Sequence, residues 1–393
     1  MKLTFYGVVA RVIAAFTPIK KNQWIFGSDF GNMYREGARF LYEYVRKEHP
    51  EYHCTFITKN PTVKNEMDEK GFPCEMNLSF AGMKTIAQAD VVFTTQSGTD
   101  IFFAYRKKKR RFYYIGHSQP YKAAYLSTPK HYADRMFAQK KGIPYLVNKI
   151  CRYFVNGYDY RDSVFYVSTS EFLVPYNKMF FGENADIRIT GMPRNDILFN
   201  DEAMKRERWL EGLEGKLVIT YMPTHRDYGL GKVTPIPFIN DKNIQQWLKD
   251  NNVVLLVKQH PNMEKRVEQD YYTESIIDIT RQKYDPQVCL YHSDAVVTDY
   301  SSAFIDFLLL KRPVFFYFYD DYEKSDTGIL FDVKDDFPDK ICYSESDFFE
   351  CVKRIKENYD SMKPSEQIVS KYHKYVDGNS CERYFNAVIE DKI

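Results

Sequence analysis

No run of 18 apolar residues occurs in this chain, so no helix is expected to span a bilayer. The seven cysteines, Cys54, Cys74, Cys151, Cys289, Cys342, Cys351 and Cys381, form no CxxC pair and are odd in number. That argues against a disulfide framework and a structural zinc centre, and for a reducing compartment. Charge of one sign is missing too: 55 Lys and Arg against 53 Asp and Glu leave only +2, which carries no nucleic-acid signature. There is no GxxxxGK[ST] loop, no HExxH pair and no GxSxG elbow, which removes the commonest nucleotide, zinc-protease and serine-hydrolase designs. No internal repeat and no low-complexity tract is present. Residues 3–16 are mostly apolar, but Arg11 interrupts them and no small-residue cleavage site follows. They read as an amphipathic helix, docked on the body or lying on a bilayer, rather than as a signal peptide.

What is present fits a globular protein of two domains: 393 residues are too many for one ordinary core, and 44% are hydrophobic. Aromatic residues abound, with 32 Tyr and 30 Phe, a bias that suits interfaces and sugar faces but also follows from AT-rich coding. The positive charge is local: Arg106-Lys107-Lys108-Lys109-Arg110-Arg111 is unbroken. It reads either as a solvated turn or as a contact for anionic lipid or polyphosphate.

Strand-like and helix-like stretches alternate along the chain, and the region 121–160 reads as helical. The βαβα rhythm predicts an α/β fold with parallel sheets covered by helices. The expected division is an amphipathic segment over 1–20, a domain over 21–195, a second over 196–376 and a closing helix within 377–393. Ligands of such sheets bind at the carboxyl ends of strands, and every chemistry-bearing stretch falls at a predicted strand end.

Val296–Thr298 reads as a buried strand that stops at Asp299-Tyr300-Ser301-Ser302, after which a helix begins with Ala303 and runs to Leu310. Ser301 and Ser302 stand where the first N–H groups of a helix lack internal partners, a place that attracts anions. Asp306 follows Ser302 by one turn on the same face. The plainer alternative is a Ser side chain capping its own helix. His117, after Tyr114-Ile115-Gly116, is a candidate general base, or simply a loop histidine. Lys122 follows as a candidate to neutralise an acceptor phosphate. His260 in Lys258-Gln259-His260-Pro261, with Lys265 and Arg266 beyond it, concentrates donors, or is a buried, satisfied histidine. Thr224 and Arg226 in Tyr221-Met222-Pro223-Thr224-His225-Arg226-Asp227 offer further donors. Gly191-Met192-Pro193-Arg194-Asn195-Asp196 reads by itself as a Gly–Pro turn. Asp320, Asp321, Asp326, Asp332, Asp335 and Asp336 form an acidic region without a trustworthy cation spacing, so no metal or cofactor is assigned.

In this order, the motifs at 191–196, 221–227, 258–261 and 298–306 resemble the CDP-glycerol glycerophosphotransferase family, which builds teichoic acids and capsule polymers. So do Lys311-Arg312-Pro313, Tyr319-Asp320, Phe331-Asp332, Asp377–Arg383 and the early Pro18–Asn22; the resemblance covers roughly 17–390. It implies a GT-B-like fold: two Rossmann-like, doubly wound domains with the active site in the cleft between them. It further implies transfer of glycerol phosphate, or ribitol phosphate, from a CDP-activated donor to a hydroxyl of a lipid-linked saccharide or growing polymer, with release of CMP. His117 is implied as base, His260 as a donor to the diphosphate, and Thr224, Arg226, Lys265, Arg266, Ser301, Ser302, Asp306 and Lys122 as substrate-binding residues. The expected setting is peripheral, at the cytoplasmic face of an anionic membrane, and no fused glycosyltransferase module is expected. Where the family has Trp-His-Gly-Thr-Pro, this chain has Gly116-His117-Ser118-Gln119-Pro120, so the resemblance leaves the acceptor and the polyol open. A GT-B glycosyltransferase using a nucleotide sugar and a non-catalytic membrane-surface protein are the alternatives.

Overall fold

A computed structural model describes residues 2–127, 155, 157–224, 236–259, 273–282, 284–320 and 328–391. The chain forms two compact units. Unit 1 comprises Met1–Gln119, Tyr125–Asp196 and Asp377–Ile393; unit 2 comprises Pro120–Ala124 and Ile197–Val376.

In unit 1, α1 (Lys2–Phe16) precedes β1 (Gln23–Phe26), α2 (Glu36–Glu48), β2 (His53–Thr58), α3 (Pro61–Glu69), β3 (Cys74–Met76), α4 (Phe80–Gln88), β4 (Val91–Thr94) and β5 (Arg111–Tyr114). The strands form one parallel sheet in the order β3-β2-β1-β4-β5. β4, Val-Val-Phe-Thr, is buried along its whole length, as expected of a parallel strand covered on both faces. Local chemistry sets the helix starts: Asn60 caps α3 with Pro61 at its first position, and Ser79 accepts from Gly82 N to cap α4. A short parallel pair, β6 (Tyr166–Ser168) with β7 (Ile187–Ile189), follows. The helix Ser380–Glu390, from the end of the chain, also packs in unit 1. Its Phe385 lies 3.7 Å from the His49 ring and 5.7 Å from Trp24.

Unit 2 repeats the plan with β8 (Leu217–Met222), β9 (Val253–Val257), β10 (Ile276–Asp278), β11 (Ala295–Thr298), β12 (Val314–Tyr317) and β13 (Ile341–Cys342). All are parallel, in the order β10-β9-β8-β11-β12-β13. In each sheet the order reverses beside the first strand, β1 or β8, where a doubly wound sheet opens its ligand crevice.

The aromatic excess is largely core. Phe26 stacks on Phe93 at 4.6 Å and Phe93 on Tyr113 at 5.5 Å in unit 1. Phe304, Phe316, Phe337 and Tyr372 cluster in unit 2. The helix expected over 121–160 lies mostly outside the described residues. Its start is extended, because 121–123 pairs with 328–330: Leu330 N donates to Tyr121 O and Ala123 N to Gly328 O.

The basic run is not a simple solvated turn. The buried Arg110 guanidinium donates to the carbonyls of Ile86, Ala87, Ala89 and Tyr105 at 2.6–2.9 Å. It thereby satisfies carbonyls at the end of α4 that lack helical partners. Lys107 donates to Thr17 O and Ala87 O, Arg111 to Val388 O, and Arg106 bridges Asp162. Lys108 and Lys109 point to solvent.

Candidate active site

In unit 1, β5 ends at Tyr114 and Ile115 N still bonds Thr94 O, so the sheet carries the chain up to Gly116. Gly116 has φ +78°, a turn that a side chain would strain. It delivers His117 above the ends of β4 and β5, half-buried, with Nδ1 3.4 Å from Thr95 O. A proton on Nδ1 satisfies that carbonyl.

Thr95 is itself held by Asp100, whose Oδ2 accepts from Thr95 N and Gln96 N at 2.8 Å each, while Oδ1 accepts from Phe30 N at 2.7 Å. One carboxyl thus ties the loop after β1 to the loop after β4. Burial pushes its pKa up to about 7, against the lowering effect of the N–H bonds. Sequence reasoning missed Asp100; the available signal was an Asp closing a Ser-Gly-Thr turn just after a buried strand.

Gln119, where the family has Thr, points inward. Its amide bonds Val167 O and lies 3.1 Å from Met192 Sδ, and its carbonyl accepts from Asn177. The departure from the family pattern at this position is therefore filled by interior packing.

Unit 2 brings Thr224 and the Ser301–Ser302 turn together. Asp299, fully buried, accepts with Oδ1 from Thr224 N at 2.8 Å and from Tyr300 N at 2.5 Å. Thr298 Oγ1 donates to Met222 O, closing the same two strand ends. Ser302 is the N-cap of the helix Ala303–Phe307 yet makes no side-chain capping bond, and Ser301 Oγ takes only a long 3.4 Å bond from Ala303 N. The plainer alternative, a serine occupied with its own cap, does not describe Ser302. Asp306 is buried and accepts from Gln287 Nε2 at 3.2 Å. On the next turn His373 Nε2 lies 2.6 Å from Ile305 O. Lys122 sits in unit 2 in an extended bridge to Ile329, and its neighbour Tyr121 packs on Phe304 of that helix at 5.4 Å. His260, Arg226, Lys265 and Arg266 lie outside the described residues. Among the described residues no group of three or more His, Cys, Asp or Glu could hold a metal ion. In the acidic region, Asp336 is taken up by Lys371 and the Tyr372 hydroxyl.

Two doubly wound parallel sheets, with candidate groups at their carboxyl ends, define an α/β protein of the GT-B-like class. The chain belongs to the CDP-Glycerol:Poly(glycerophosphate) glycerophosphotransferase family, whose model matches residues 9–390. The teichoic acid poly(glycerol phosphate) polymerase of Bacillus subtilis is 25% identical over 403 residues, covering 96% of this chain and 50% of that protein. The teichoic acid glycerol-phosphate transferase of Staphylococcus aureus is 24% identical over 393 residues, covering 94% of this chain and 93% of that protein. The solved wall teichoic acid polymerase TagF superposes with a TM-score of 0.72 at 22% identity, over 97% of this chain and 92% of that one. It shows the shared fold. This chain spans about half the length of the Bacillus subtilis polymerase.

Proposed function

We propose that this chain transfers a polyol phosphate, glycerol phosphate first among the candidates, from a CDP-activated donor to a hydroxyl of a growing polymer or lipid-linked saccharide. The observation that carries this reading is the family match across almost the whole chain. His117 Nε2 takes the proton of the acceptor hydroxyl. The acceptor oxygen bonds the phosphorus that bears the polyol, the bond from that phosphorus to the bridging oxygen breaks, and CMP leaves with that oxygen. Charge gathers on the phosphoryl oxygens in such a transfer, so fixed donors do most of the work. Ser301, Ser302 and the N–H groups that open their helix are the donors proposed in unit 2, with Thr224 and Lys122 beside them. Arg226, His260, Lys265 and Arg266 complete the set through the family resemblance.

The test offers CDP-glycerol, CDP-ribitol and nucleotide sugars, each with a lipid-linked acceptor, and measures CMP release. Release from a CDP-polyol alone supports the reading. Consumption of a nucleotide sugar instead makes the chain a glycosyltransferase.

The membrane reading belongs to the same proposal: peripheral attachment at the cytoplasmic face, with α1 as the contact. One side of α1 packs through Ala10 and Ala14 on Met83 and Ala87 of α4. The other side leaves Phe5 66% and Phe16 86% exposed, with Val8 and Val12 between them and Phe80 of α4 exposed as well. Lys107 anchors to Thr17 O, which sets the exposed Lys108 and Lys109 near the end of α1. An apolar stripe with cations at its edge suits an anionic bilayer. No helix of the described residues is long and apolar enough to cross a membrane.

A further inference from the structure

The turn Gly191-Met192-Pro193-Arg194-Asn195-Asp196 does more than reverse the chain. Arg194 is buried, and its Nη1 donates to Glu36 Oε2 at 2.9 Å and also to the backbone carbonyl of His117. Glu36 is buried as well, and opens α2 at φ +62°. One nitrogen of a rigid guanidinium therefore joins the start of α2 to the main chain of the candidate base. An always-charged guanidinium can give both bonds at once.

The turn is in turn clamped from behind. Asp196 accepts from Ser380 N at 2.8 Å and Cys381 N at 2.7 Å, where the last helix begins. Arg383 Nε donates to Thr190 O at 2.9 Å while its other nitrogens bridge Asp377. Gly191, at φ +76°, lies so close to Ser380 that an added Cβ would meet Ser380 Oγ at 2.5 Å. Two motifs, 191–196 and 377–383, thus interlock through residues 184 and 185 apart.

We infer that Arg194, held by Glu36, is a positioning residue that sets the backbone of His117 and so aims its imidazole at the acceptor hydroxyl. The inference rests on His117 being the base. With Gly116 free to turn on one side of His117 and Thr95 O contacting the ring, the Arg194 bond is what fixes the carbonyl on the other side. Arg194 touches no reacting atom in this role. Its removal loosens aim and leaves donor binding alone.

The test is a double-mutant cycle between Arg194→Gln and His117→Ala in the full chain. It measures CMP release from CDP-glycerol with an acceptor, and donor affinity by calorimetry. Loss of aim by an ångström is worth on the order of 100-fold. Arg194→Gln is therefore expected to lower kcat roughly 30- to 100-fold with donor affinity unchanged, and Arg194→Lys to recover part of it. In the His117→Ala background Arg194→Gln should cost nothing further, because it acts through that ring. An equal loss in both backgrounds, or weakened donor binding, overturns the inference and leaves Arg194 a purely structural residue. Full turnover in His117→Ala alone instead overturns the assignment of His117 as base, so the two failures are told apart. If Arg194→Gln does not fold, Glu36→Gln, which keeps the shape of the pair, runs the same cycle with the same outcomes.

Discussion

Thr224 N donates to Asp299 Oδ1 at 2.8 Å, and that oxygen also takes the Tyr300 N–H. A single buried oxygen thus fixes the exits of β8 and β11, and with them the place of Ser301 and Ser302. Asp299→Ala should untie both exits and lower CDP-glycerol affinity about 10- to 100-fold, since it leaves two buried N–H groups without their acceptor, at roughly 1–3 kcal/mol each. Asp299→Asn keeps the accepting oxygen and should lose far less. Isothermal titration of the two variants decides it: equal affinities would show that the clamp does not serve the donor.

The serines make a separate prediction. Ser302 makes no side-chain capping bond, so helix stability should change little in Ser301→Ala/Ser302→Ala while donor affinity falls about 10-fold or more. A large drop in Tm with unchanged affinity would return both hydroxyls to a capping role.

His117→Ala should reduce turnover at least about 100-fold with donor affinity nearly intact, the signature of a lost general base. Rapid-quench assay of CMP release, run beside calorimetry with CDP-glycerol, separates the two effects. Near-normal turnover would falsify the base assignment.

Asp100 predicts a pH effect on stability. Its carboxyl is held up to about 7 in the folded chain, well above its ordinary value, by burial. The folded state therefore keeps a proton that the unfolded state has released. The stability this gives is complete below the unfolded pKa and is lost as pH rises toward 7, with a slope of at most about 1.4 kcal/mol per pH unit. Denaturant titrations between pH 4.5 and 8, a range chosen around that window, should show this decline in the wild type and a flatter curve in Asp100→Asn. Parallel curves would assign the pH dependence to other groups.

For the membrane, Lys108→Gln/Lys109→Gln and Phe5→Ser/Phe16→Ser should each release protein from anionic vesicles, the first effect vanishing at high salt because it is screened. Arg110→Gln should instead destabilise the fold by roughly 2–4 kcal/mol, since it strips buried carbonyls of their donors. Vesicle flotation alongside thermal melts tests both. Unchanged flotation of both surface variants would remove α1 and the run from the membrane contact.

Much of the sheet architecture is legible in the chain. β4, β8, β9, β11 and β12 are short, β-branched or aromatic runs that only a covered parallel strand explains. Edge strands β3 and β10 were not legible, because three residues, the first buried and the next two half-exposed, carry no periodicity. β13 is not legible for the same reason: two residues carry no pattern beside the capped helix Glu345–Glu357 that follows. Of the candidate site, His117, Thr224, Ser301 and Ser302 stood out as polar residues just past such strands. The residues that hold them, Asp100, Asp299 and Arg194, did not, since a buried carboxylate or guanidinium looks like any surface charge until its partners are known.

The sequence by itself determined the two α/β halves, the family and the strand ends at which chemistry is placed. All of these follow from local hydrophobic pattern and short motifs. Tertiary structure alone decided which charges are spent inside. It turned Lys107, Arg110 and Arg111 toward backbone carbonyls, paired Arg106 with Asp162 at the surface, left Lys108 and Lys109 in water, packed Tyr121 on Phe304, and locked residues 191–196 against 377–383. The physical reason is that a buried polar group must find its partner wherever the chain brings one, and sequence distance says nothing of where that is.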